Sequence, residues 1–172
     1  MQEKPHPFWI FSLKVYVKPG VSPTCLAVQD EYGGDVNLLL FCCWQGCMGH
    51  SLNKRFLRSA MGAVADWQLH VLQPLRLARR NINMEYPAMP VKLKTSLSKD
   101  IASAELDAEY LEQRLLARCA AEHTSAFRKS TPARAIAVNL RRYFELLKIP
   151  FDASLKRHAE TLLAACQTHP QA

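Results

Sequence analysis

The chain has 172 residues, 49% hydrophobic and 22% charged, with a formal net charge of +7. That size and balance predict one globular domain with a real core, residues 1–172. No apolar run approaches the ~20 residues that span a bilayer, which excludes a transmembrane segment.

In chain order the signals are helical. Phe8, Trp9, Phe11, Leu13 and Val15 to Val17 follow Pro7 and predict a short helix stopped by Lys18-Pro19-Gly20. Ser22-Pro23 reads as a cap with proline at the first helical position, opening a helix that ends at Gly33. Asp35 then caps a nine-residue run, Val36 to Trp44, that is apolar on every side except at Asn37, in a helix that runs to about Cys47. A helix of that kind must be surrounded, so it is expected to be the central element. A fourth helix starts at Ser51 to Asn53 and ends near Asp66, and Trp67 to Asn81 is helical with a kink or restart at Pro74. Asn83 to Pro90 is a loop. Lys92 to Glu122 predicts a long amphipathic helix with Leu97, Ile101, Ala104, Ala108, Leu111, Leu115 and Cys119 inward. Arg128 to Ser130 is polar and exposed. Thr131-Pro132 caps a helix that stops before Pro150, and Asp152 caps a last one to about Gln167. No stretch alternates at period two. The expected fold is an all-α bundle of seven or eight helices around residues 36–47.

Pro7-Phe8-Trp9, Phe11-Ser12-Leu13, Tyr16, Pro19-Gly20-Val21, Cys25-Leu26, Gln29-Asp30 and Asp35-Val36-Asn37-Leu38-Leu39-Leu40-Phe41-Cys42 occur in this order. They are followed by Trp67, Pro74-Leu75-Arg76, Arg79-Arg80, Glu105-Leu106, Glu109 and Glu112-Gln113. In these motifs the chain resembles an uncharacterised proteobacterial family of small proteins, domain of unknown function 2390. The family-like part spans about 7–122, and the helical part at about 131–167 is less diagnostic. The resemblance implies no activity.

Residues 1–50 carry three basic and four acidic groups, 51–100 nine and three, and 101–172 ten and eight, so the positive excess sits in the middle. Lys54, Arg55 and Arg58 lie within about one turn, and Arg76, Arg79 and Arg80 share one face at i, i+3, i+4. Guanidinium forks suit phosphate, so this face is a candidate surface for a protein or ribonucleoprotein partner; the plain alternative is a solvated basic face. Arg141-Arg142-Tyr143 is a weaker candidate of the same kind. No DNA-binding or RNA-recognition motif is present.

Cys43, Cys47 and His50 fall at i, i+4, i+7 beside Cys42, and thiolate with imidazole suits zinc or copper. The spacing is not a standard zinc pattern, and burial as small apolar groups is the expected role, so no metal or other cofactor is assigned. Six cysteines behind a polar start, Met1 to Pro5, predict a reduced, cytoplasmic protein. Asp30, Asp35 and Asn37 bracket Gly33-Gly34 and form an alternative polar site at the head of the central helix. Glu105, Glu109 and Glu112 share a face as in di-iron bundles, but the partner Glu-x-x-His motifs are missing and a solvated acidic stripe is expected. There is no Gly-x-Ser-x-Gly elbow, no glycine-rich loop after a strand and no aspartate-rich pair for magnesium diphosphate. Phe8, Trp9 and Phe11 are expected in the core and not at a membrane surface. The leading expectation is a non-catalytic binding or regulatory protein acting through the basic face. The alternative is a small enzyme or ligand-binding bundle holding an anionic substrate near Asp30, Asp35 and Asn37.

Overall fold

Asp35 starts the helix on which the others are arranged: its Oδ1 accepts from the backbone N–H of Asn37 at 2.7 Å and Leu38 at 3.3 Å. The computed structural model describes residues 4–167 except 85, 87, 124 and 126; Pro87 of the expected loop and Met1 to Glu3 of the polar start lie outside the described residues. Eight α-helices occur among them: α1 (Pro7–Tyr16), α2 (Val21–Tyr32), α3 (Val36–Cys47), α4 (Lys54–Trp67), α5 (Gln73–Ile82), α6 (Val91–Glu122), α7 (Pro132–Leu146) and α8 (Ala153–Gln167). Helix α3 is buried from Asn37 to Cys43, as a helix apolar all round must be, and it packs against α1, α2, α6, α7 and α8. The fold is all-α with α3 at its centre.

Aromatic side chains close one end of the core. Phe8 lies fully buried, stacked on Trp44 at 4.9 Å and edge-on to Phe41 at 5.7 Å. Trp9 meets Tyr110 edge-on at 5.3 Å, and Phe11 packs against the core, so the aromatics of α1 serve packing. Helix α3 crosses α7 so closely that a Cβ on Gly46 would stand 2.7 Å from both Cα and N of Ile136. No side chain fits there without moving backbone.

Several boundaries differ from expectation. Ser22 and Pro23 lie inside α2, which begins at Val21 behind Gly20 at φ 79°; the glycine takes the left-handed turn, and proline is tolerated in the first turn, where N–H groups have no helical partner. Thr131 stands at the start of α7 without a side-chain capping bond. A two-stranded antiparallel ribbon, β1 (His50–Leu52) with β2 (Phe127–Lys129), is additional: three residues are too few to reveal a period of two, and Arg128 to Ser130 was expected as exposed polar chain. Asn139 holds the ribbon to α3 and α7, accepting from Leu52 N at 2.8 Å and donating to the carbonyls of Cys42 and His50. Before Pro74, the break is a π-helical turn, Gln68–Leu72, in which Gln73 N–H reaches back to Gln68 O. Proline offers no N–H to the preceding turn; the chain widens there and restarts as α5 with Pro74 in its first turn.

The largest correction concerns α6. Of the predicted stripe, Leu97 and Leu111 are each 50% exposed and Ala104 is exposed, whereas Ala108 is buried and Leu115 packs against the core; Glu105, Glu112, Gln113, Leu116, Ala117 and Ala120, outside the stripe, are buried. The inward face is turned away from Leu97 and Leu111, and polar partners on α3, α5 and the π turn meet the carboxylates.

Two glycines give opposite expectations. Gly46→Ala collides with α7 backbone and should cost about 1–3 kcal/mol, whereas Gly62→Ala meets nothing within 4 Å in mid-α4 and should gain about 0.5–1 kcal/mol. Chemical denaturation of the two variants measures both signs.

Candidate functional site

The site is a chain of buried polar side chains linking α1, α3, the π turn and α6. Ser12 Oγ donates to Gln113 Oε1 at 3.0 Å, Gln113 Nε2 donates to Asn37 Oδ1 at 2.8 Å, and Asn37 Nδ2 donates to Glu112 Oε2 at 2.7 Å. Gln68 Nε2 closes the chain, within 2.9 Å of both oxygens of Glu112 and 2.7 Å of Asp35 Oδ2. Glu112 is fully buried and hydrogen-bonded to Asp35. Burial first, and the Asp35 charge second, push its carboxyl well above the usual carboxylate range. The protonated Glu112 donates to Asp35, while its carbonyl oxygen accepts from the amides. Tyr143 on α7 receives the Asp35 backbone N–H at 2.7 Å on its hydroxyl, and burial raises its phenol as well.

Local sequence explains the convergence. Asp35 and Asn37 flank the first residue of α3, so one caps and the other points inward from the first turn. Gln68 opens the π turn, a local widening that recurs at functional positions. Glu105, Glu109 and Glu112 recur on one face of α6, and that face is covered. This overturns the expected solvated stripe: Glu105 is 9% and Glu112 0% exposed.

The arginines complete the arrangement. Arg79 grips Glu105 through Nε at 2.6 Å and Nη2 at 3.2 Å, and Arg76 meets Glu109 at 2.8 Å and Glu105 at 3.4 Å. Burial raises the carboxyl of Glu109, a change its bond to Arg76 opposes. Arg80 reaches Asp30 at 3.4 Å, both largely exposed. Of the expected basic face, Arg76 is thus spent inside the molecule, with a side chain only 13% exposed. Lys54, Arg55 and Arg58 lie exposed on α4, away from this group, with Lys54 at 2.9 Å from Glu145. Arg142 donates to Leu52 O at 2.6 Å and Arg141 pairs with Glu145, while the next residue, Tyr143, is buried.

Two cavities flank Arg76. One, about 530 Å³, opens at the head of α3 beside Asp35, Gln68, Gln73, Arg80 and Tyr143, with Leu38, Met61 and Val64 as apolar wall. The other, about 340 Å³, lies between α1, α2 and α6 and exposes Ser12, Asn37 and Gln113. Both ends of the buried chain therefore meet a cavity. Asp30, Asp35 and Asn37 are brought to this region, Asp30 at its exposed rim.

Cys43, Cys47 and His50 do not converge. Hydrogen bonds join Cys166 to the thiols of Cys43 and Cys47, and burial raises Cys42, and Cys25 to about 12. His50 turns instead to Gln45 Oε1 and Lys129 Nζ, each 2.9 Å away, and stacks on Phe127. No group of three His, Cys, Asp or Glu among the described residues has the geometry to hold a metal ion. None of the described helices is long and apolar enough to cross a membrane.

A family model described as protein of unknown function (DUF2390) matches residues 7–116. The match includes every side chain of the polar chain except Tyr143. No curated protein and no solved structure matches the sequence.

The Glu112 proton sets a pH dependence. Unfolded, the carboxyl releases it near its ordinary value of ~4.3; folded, it keeps it. Above that pH the native state binds more protons, so this group makes stability fall as pH rises. Glu112→Gln replaces the O–H by an amide N–H toward Asp35, and should gain stability on wild type progressively from about pH 5 to pH 8. Denaturation curves that stay parallel across that range contradict it. Arg76→Ala leaves Glu105 and Glu109 short of a buried partner and should cost about 3 kcal/mol, whereas Arg55→Ala with Arg58→Ala should stay within about 0.5 kcal/mol of wild type; thermal unfolding compares the two.

Proposed function

The chain belongs to this family, whose description supplies no activity, and we propose from its geometry that it is a small-molecule-binding helical bundle. The observation that carries this reading is Asp35, lying on the wall of a 530 Å³ cavity and backed by the buried, hydrogen-bonded Glu112. A ready cavity with convergent polar groups and a strongly shifted carboxyl is the usual form of a ligand site. Asp35, Gln68 and Tyr143 orient the ligand, and Arg76 and Arg80 divide this cavity from its neighbour. The pairing of Arg76 and Arg79 with Glu105 and Glu109 weighs against the basic face as a surface for a protein or ribonucleoprotein, since both guanidinium groups already have carboxylates. Binding alone accounts for the arrangement. We place the protein in a reducing, cytoplasmic setting, which the buried thiols of Cys25, Cys42, Cys43 and Cys166 favour.

Native mass spectrometry of the protein purified from its host at low salt tests this. A small molecule at unit stoichiometry, lost from Asp35→Asn, is the expected result. Recovery of RNA or a protein partner that salt releases, with no small molecule, would return the function to the basic residues.

A further inference from the structure

We infer that the cavity between α1, α2 and α6 binds an amphipathic monoanion, an apolar chain or ring ending in a carboxylate, with Arg80 as its anion contact. This rests on the small-molecule reading and extends it to the neighbouring cavity, naming the chemistry of a guest there. The cavity volume of about 340 Å³ equals roughly eleven waters at ~30 Å³ each, room for an apolar body of about ten heavy atoms. Its walls include Trp9, Leu13, Tyr16, Leu26, Leu40 and Leu106. Leu13, Leu26 and Leu106 are each between 44% and 48% exposed there, so an apolar guest removes their surface from water.

Charge selects the other end of the guest. Arg76, Arg79 and Arg80 line the cavity, and the carboxylates in its wall are Glu105 and Glu109. Arg76 and Arg79 are held by those glutamates at 2.8 Å and 2.6 Å. Among the described residues the carboxylate that meets Arg80 is Asp30, at 3.4 Å across solvent, and Asp30 belongs to the neighbouring cavity. An exposed pair of that length contributes little and yields to a carboxylate arriving from the apolar side. A cation is repelled by Arg80, and a neutral amphiphile brings it no opposite charge.

Calorimetric titration of the full chain with decanoate, decanol and decyltrimethylammonium, each below its aggregation concentration, tests the inference. Saturable decanoate binding at one per chain is expected, weakened about tenfold by Arg80→Ala and abolished by Ala102→Trp, which fills the cavity from an exposed position on α6. Circular dichroism checks that both variants fold. Equal binding of decanol or of the cation overturns it. If decanoate does not bind while native mass spectrometry finds another class of small molecule, this inference fails and the ligand-binding reading stands; if neither finds a ligand, both fail.

Discussion

Burying Glu112 without a cation in contact is the constraint to which the rest of the molecule answers. A carboxylate placed there would cost several kcal/mol, so the group keeps its proton and the surrounding elements supply partners. Those partners come from α3 and from the π turn, each reaching an oxygen within 2.9 Å. Meeting that geometry fixes the rotation of α3, the register of α6 and the widening of the helix before Pro74 together. A half-satisfied network would be worse than an apolar core. Among the described residues, every buried side-chain nitrogen and oxygen has a partner.

The same constraint redistributes charge. A net +7 with its excess at 51–100 suggests an open basic surface, but α5 lies along α6, and the acidic face of one neutralises the arginines of the other. What looks like two solvated stripes in the linear chain is one interhelical contact. Ion pairs at that depth contribute less to stability than their number suggests, because desolvation offsets attraction. They do fix which groups line the two cavities, and that is their bearing on function.

The helices were legible because capping and punctuation are local. Asp35, Asn53 and Asp152 each accept the backbone N–H bonds that their sequence positions imply. The central helix was legible because nothing else accommodates a run apolar on all sides. The inward face of α6 was not, because hydrophobic periodicity scores leucines as inward and glutamates as outward. Here Glu112 is buried and Leu111 half exposed, since the partners of Glu112 lie on elements distant in sequence. The spacing of Glu105, Glu109 and Glu112 together with Arg76, Arg79 and Arg80 held the missing signal: two matching faces of opposite charge on successive helices. The place of Asp35 and Asn37 at a helix head was legible, because a capping carboxylate and a polar first turn are local features. Gln68 was not, for an isolated glutamine gives no sign that a π turn will aim it at two carboxyls.

The buried network depends on a Glu112 carboxyl that stays protonated in the native protein. Carbon-13 NMR of the side-chain carboxyls, followed through a pH titration, observes this directly. One glutamate signal should remain in its protonated position at neutral pH and vanish in Glu112→Gln. If every glutamate carboxyl ionises in the ordinary range near ~4.3, Glu112 is a carboxylate, and both the buried network and the site built on it are wrong.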